Sequence, residues 1–163
     1  RDAYVLEMIS TYLSDGKSSK LYKKMVDEQK QALQVGAFTI PQEDYGMYLV
    51  FAIPLNNTEL PTLIEEMEEE VAKVRTELIS EKDFQKLQNK FENNFVNSNS
   101  NIQGIAGSLA TYNMLYGDTS LINEEINIYR SITREEIKEV ANKYLQPNQS
   151  VIIKYLPGEK PAN

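Results

Sequence analysis

Two stretches of the chain carry residue types that can do chemistry. Ser14-Asp15-Gly16-Lys17-Ser18-Ser19-Lys20-Leu21 contains the Gly-Lys-Ser that ends a phosphate-binding loop, and Glu65, Glu66, Glu68, Glu69 and Glu70 form a dense run of carboxylates. A phosphate loop needs a second glycine five residues before Gly16, and it must leave a strand and enter a helix so that free backbone N–H groups face the phosphates. That earlier position is Thr11, and Val5, Met8, Ile9, Tyr12 and Leu13 recur at helical spacing ahead of the loop. The stretch therefore reads as a helix-to-helix junction, with Gly16 as the stop and a serine as the next N-cap. The glutamates fit either a pair of catalytic carboxylates or a cation site. They equally fit the solvated face of an amphipathic helix whose apolar stripe is Leu63, Met67, Val71, Val74 and Leu78, and that is the simpler reading.

Composition narrows the chemistry further. The 163 residues include no histidine and no cysteine, which removes imidazole bases, thiolate nucleophiles and the usual zinc ligands from this chain. Seventeen Lys and Arg against 24 Asp and Glu give a net charge of −7, which opposes binding to nucleic acid. No apolar run reaches the roughly 20 residues of a membrane span, and neither a membrane span nor a signal peptide is expected within these residues. The helical pattern begins directly at Arg1-Asp2, as expected for a piece of a longer protein. Asn56-Asn57-Thr58 and Asn148-Gln149-Ser150 match the glycosylation triplet, a pattern too common to assign a compartment.

The elements that position these residues follow from periodicity. After the first helix, Ser18 to about Gln29 predicts a second short helix carrying Leu21, Tyr22, Met25 and Val26. Gln31–Ile40 and Gly46–Ile53 predict an antiparallel hairpin turning at Pro41-Gln42-Glu43-Asp44, and the second strand, apolar on both faces, predicts a central position covered on both sides. Pro54 closes it, and Thr58 with Pro61 opens the glutamate-rich helix. Ser80-Glu81-Lys82-Asp83 is a capping box ahead of Phe84, Leu87, Phe91 and Phe95. The polar run Asn97–Asn101 breaks the pattern before Ile105, Leu109, Tyr112 and Leu115, and Gly117 stops it. Two short helices follow, from about Ser120 to Tyr129 and from the box at Thr133-Arg134-Glu135-Glu136, with Ile137, Val140, Ala141 and Tyr144. Ser150–Leu156 alternates as a last strand before Pro157-Gly158. The order predicts an α+β fold, a mainly antiparallel sheet with several helices packed on it.

In order and spacing, Ser18-Ser19-Lys20-Leu21-Tyr22, the strand pair, the acidic helix, Ile79-Ser80-Glu81-Lys82-Asp83-Phe84, Leu115-Tyr116-Gly117, Ile132-Thr133-Arg134-Glu135-Glu136-Ile137 and Val151-Ile152-Ile153 resemble the pitrilysin/insulinase-type zinc metallopeptidases along nearly the whole chain. The resemblance implies a metallopeptidase-like α+β domain, 1–163, of the non-catalytic C-terminal type, lacking the strand that opens such domains and so leaving a sheet edge unpaired. It implies a companion domain whose His-x-x-Glu-His motif binds zinc, the two enclosing an unfolded peptide. This chain itself would hold no cofactor and no metal. Members that assist catalysis carry an arginine and, seven residues later, a tyrosine; the matching positions here are Val26 and Leu33, which donate no hydrogen bond and are expected to serve as packing. Bacterial relatives of the family lean to the periplasm or cell envelope. A non-proteolytic scaffold module of the same fold, or a small-molecule-binding α+β domain, are the other functions open to this sequence.

Overall fold

The structure, a computed structural model, describes residues 1–42 and 45–156. Helix α1 (Asp2–Ser14) lies at its centre, with Val5, Met8, Ile9 and Leu13 fully buried. Each such side chain contributes about 1.5–3 kcal/mol of burial. The helix start is tied to the end of the fold: the Arg1 guanidinium forks onto Glu136, donating to Oε2 at 2.8 Å, and Lys143 pairs with Asp2 at 2.7 Å. Helix α1 stops where expected, because Gly16 turns the chain at a φ of +85° that side chains disfavour.

The second helix differs from the prediction in kind. It is a π-helix (Tyr22–Glu28), closed by a bond from the Gln29 N–H to the Lys24 carbonyl at 2.9 Å. No serine caps it; the Ser19 hydroxyl donates backward to the Gly16 carbonyl at 2.7 Å. Its geometry buries Leu21 and Met25 completely.

The hairpin forms as predicted, from β1 (Ala32–Pro41) and β2 (Gly46–Pro54), paired in register from Gln34↔Ile53 to Pro41↔Gly46. Of the expected turn, Glu43 and Asp44 lie outside the described residues. Buried Val35 and Ala37, with their partners Ala52 and Val50, form the face that packs on α1. The Ser14 hydroxyl accepts from the Ala37 N–H at 2.7 Å and donates to its carbonyl at 3.1 Å, so the end of α1 satisfies part of the β1 edge.

β2 is not the central, doubly covered strand its sequence suggests. Among the described residues the sheet has two strands, helices pack on one face, and Phe38, Met47 and Ile53 stay exposed on the other. Nor is Ser150–Leu156 a strand. After a 3-10 turn at Pro147–Gln149 the chain runs on unpaired, with Val151, Ile153 and Tyr155 exposed. β-branched alternation suits a pleated surface but forms a ladder only where a neighbouring strand offers hydrogen bonds. Pro157 and Gly158 lie outside the described residues.

The remaining helices are α2 (Leu60–Thr76), α3 (Glu81–Ser98), α4 (Ile102–Tyr116), α5 (Leu121–Ser131) and α6 (Arg134–Tyr144). Pro61 stands in the first turn of α2 as predicted, but the Thr58 hydroxyl donates to the Leu55 carbonyl instead of capping, and α2 ends before Leu78, which is exposed. The predicted boxes do cap: Ser80 accepts from the Asp83 N–H and Thr133 from the Glu136 N–H, both at 3.1 Å. Asn101 caps α4 by accepting from Gly104 at 2.9 Å, and Gly117 ends it at a φ of +66°. Phe91 of α3 stacks on Tyr129 of α5 with centroids 4.4 Å apart, and α4 packs on α5.

Candidate functional site

The Gly-Lys-Ser junction is built as a joint between helices. The loop leaves α1, not a strand, and is held by α3: Lys90 reaches the Asp15 carboxylate at 2.6 Å and its carbonyl at 3.2 Å, and Lys86 contacts the Ser18 hydroxyl. These anchors bind the loop's own oxygens to lysines, and the loop leaves a helix where a phosphate loop leaves a strand.

The glutamate run departs from the expected solvated face. Glu65 and Glu68 are exposed, but Glu70 is only 6% exposed. Lys24, projecting from the π-helix, meets Glu66, Glu69 at 2.5 Å and Glu70 at 3.4 Å; Lys73 bridges Glu69 and Glu70 at 2.9 and 2.7 Å. Burial opposes the Lys24 charge, yet Glu66 and Glu69 outweigh it and raise its pKa. Hydrogen bonds from Lys24, then Lys73, pull Glu69 down to about 2. A carboxylate so stabilised in its charged form is a poor base near neutral pH. The cluster clamps α2 to the π-helix, and two ammonium groups already fill the place a cation would take.

Val26 and Leu33 flank a junction of three irregularities: the π-helix, Lys30 with a left-handed φ of +54°, and a bulge between Ala32 and Gln34 in which Leu33 is the extra residue. The bulge re-aims the side chain that follows Ala32. Val26, on the π-helix, is partly buried against the core, whereas Leu33, expected to pack as well, is 64% exposed and does not. Neither position brings a polar donor to the junction.

One cluster escaped the sequence reading. The Tyr129 hydroxyl donates to Glu7 at 2.5 Å, and the Tyr112 hydroxyl donates to Glu125 at 2.5 Å, linking α1 and α4 to α5. Burial raises the Glu7 pKa, the Tyr129 bond opposes that rise, and the Glu125 charge adds to it. Nothing local in the sequence signals this cluster, since Glu7 and Tyr129 stand 122 positions apart.

Two concavities lie among the described residues. An open groove of about 600 Å³ runs along α3 past Lys82, Gln85, Lys86, Asn89, Lys90 and Asn93. Another, of about 380 Å³, lies beside Tyr12, Lys20, Glu70, Lys73 and Asp83. The Lys20–Asp83 pair at 2.9 Å shows its charges engaged with each other instead of converging on a small molecule. Among the described residues no group of three or more acidic, histidine or cysteine side chains is placed to hold a metal. A zinc ion does not fit this donor set, in which the clustered carboxylates already carry lysine partners.

Comparison with known proteins gives this geometry a context. Residues 1–91 match the family model of the peptidase M16 inactive domain. The zinc protease PqqE of Helicobacter pylori is 23% identical over 153 residues, which is 94% of this chain and 34% of that protein. A protease structure from Helicobacter pylori superposes with a TM-score of 0.84 at 22% identity, covering 91% of this chain and 36% of that one. The inactive peptidase domain of a candidate zinc protease from Bordetella parapertussis also reaches 0.84, at 20% identity, over 99% of this chain and 86% of its own. The chain thus spans about a third of the curated relative, and the structural likenesses establish the α+β fold.

Proposed function

The chain belongs to the peptidase M16 inactive-domain family, and from that membership we propose that it forms the non-catalytic wall of a peptide-enclosing chamber, beside a separate His-x-x-Glu-His domain. The observation that carries this reading is the donor inventory: 163 residues without one histidine or cysteine, in a family with a relative named as a zinc protease. Zinc and the water it activates then belong to the companion domain. Val26 and Leu33 add no hydrogen-bond donor, so this domain encloses the peptide without assisting its cleavage. In the same reading residues 1–163 are one domain of a longer polypeptide, in which a further strand extends the hairpin sheet.

The test compares the full-length protein with the isolated chain by metal analysis and by cleavage of an unfolded peptide. Stoichiometric zinc and chelator-sensitive cleavage are expected in the full-length protein, and neither in the chain alone. A full-length protein free of zinc and without cleavage would replace this reading with that of a scaffold of the same fold.

A further inference from the structure

Helix α3 carries cations on one face that the fold leaves without partners. Lys82, Lys86 and Lys90 recur at every fourth position, and Gln85, Asn89 and Asn93 line the same groove beside them. At about 100° per residue all six fall within an arc of about 140°, turned away from the side that buries Leu87 and Phe91. Each carboxylate of α3 is taken by a cation from elsewhere in the chain: Glu81 by Arg134 at 2.7 Å, Asp83 by Lys20 at 2.9 Å, and Glu92 by Arg130. Lys90 meets Asp15 at 2.6 Å, whereas Lys82 and Lys86 have no ion pair among the described residues, and Lys86 contacts the neutral Ser18 hydroxyl. The Gly-Lys-Ser loop borders this face, since a methyl group on Gly16 would stand 4.0 Å from the Lys90 ammonium. Lys17, exposed between Gly16 and Ser18, adds a further cation with no carboxylate partner among the described residues. In a chain of net charge −7, such a local excess of positive charge steers an anionic partner to one place.

We propose that this face of α3 binds an extended peptide segment that carries carboxylates at alternate positions. Charge complementarity selects the carboxylates, and spacing selects the extended chain. Four residues of helix advance about 6 Å and two residues of extended chain about 6.6 Å, so successive lysines meet successive carboxylates along one side of the peptide. The carboxamides run alongside, and a carboxamide both donates and accepts, as a peptide main chain requires. Gln85 donates to Asn89 at 3.0 Å, which leaves the Asn89 and Asn93 N–H groups without a partner among the described residues. Other polyanions fit this face less well. Single-stranded nucleic acid is held by aromatic side chains on which its bases stack, and none of the six groove residues is aromatic. A lipid surface is held by a helix that offers it an apolar face, and the apolar side of α3, with Leu87 and Phe91, is buried in the core. The site lies apart from Val26 and Leu33, and it stands whether or not the chamber reading does.

Fluorescence anisotropy of labelled peptides with the full-length protein, in chelator so that no cleavage follows, tests this directly. The peptide Ser-Glu-Ser-Glu-Ser-Glu-Ser should bind at low salt and lose affinity as salt is added, while its counterpart with glutamine for glutamate should not bind. Lys82→Gln with Lys86→Gln should weaken binding roughly tenfold, the effect of removing two exposed charge pairs. The thermal midpoint should stay unchanged, because both side chains are exposed and Gln forms helix about as well as Lys. Lys82→Arg with Lys86→Arg should keep the affinity. Absence of binding overturns the proposal, as does an affinity indifferent to the glutamine substitutions. Equal affinity for a peptide of the same composition with its glutamates in one run also overturns it, because the alternate spacing then plays no part. A single-stranded oligonucleotide or a phosphatidylglycerol vesicle that binds through the same lysines more tightly than the peptide assigns the face to another partner and overturns it too.

Discussion

At the scale of single residues, the junction between the π-helix and β1 separates two leucine-sized problems that look alike in sequence. Val26 and Leu33 are both apolar, both stand at the positions the sequence resemblance implies for an assisting arginine and tyrosine, and both read as packing. The bulge divides them, turning Leu33 outward at 64% exposure while Val26 packs on the core. Val26→Arg is therefore expected to cost about 1–3 kcal/mol, through lost packing and a guanidinium brought toward apolar surroundings. Leu33→Tyr should stay within about 0.5 kcal/mol of the parent. Urea unfolding of the two single variants measures both, and equal losses at the two sites would show that Leu33 is buried in solution. The same logic revises the glutamates: with Glu70 buried and held by Lys24 and Lys73, the run serves to clamp two helices.

At the scale of elements, caps and stops were readable because they act over three or four residues. Ser80, Thr133, Gly16 and Gly117 do what their types favour at those spacings. Helix α4 is the element most weakly supported from within, combining Gly104 and Gly107 with a largely exposed surface. A methyl group at Gly107 would meet nothing within 4 Å. Gly107→Ala is accordingly expected to stabilise α4 locally by up to about 1 kcal/mol, the propensity difference in a helix interior. Slower exchange of the α4 amides in the isolated chain is the readout; faster exchange would mean that the glycine serves a contact within the chain.

At the scale of the whole molecule, the carboxylates give stability a pH dependence with two opposing parts. Hydrogen bonds lower the pKa of Asp2, chiefly from Lys143, and of Glu136, chiefly from Arg1. Lowered carboxylates contribute stability that is present above their unfolded values and lost as the pH falls through the folded ones, so these pairs weaken in acid. Glu7 acts in the reverse sense. Its pKa is raised by burial, so its contribution is fully present below the unfolded carboxylate value and is lost as the pH rises through the folded one. Glu7→Gln keeps an oxygen to accept from Tyr129 and removes the buried charge. The variant should melt above the parent at pH 7 and converge with it near pH 3. A difference in thermal midpoint that stays constant across that range would contradict the assignment.

By itself the sequence determined which residue types are absent and those helix ends that a capping box or a glycine stop sets, at Ser80, Thr133, Gly16 and Gly117. A missing histidine is missing in every conformation, and amphipathic period, capping box and glycine stop operate between residues that are near in the chain. It also determined the hairpin, since alternation and turn lie within one short span. What only the tertiary structure decided depends on distant partners. Lys24 finds Glu66 and Glu69 from another helix, Tyr129 finds Glu7 across the molecule, and the bulge at Leu33 is defined by the strand it faces. Burial is likewise a relation between elements. The apolar second face of β2, the alternating Val151–Leu156 stretch and the uncharged surface of α4 each carry the pattern of a covered segment, and within the described residues no neighbour covers them because hydrophobic pattern fixes what can be buried, not what is there to bury it.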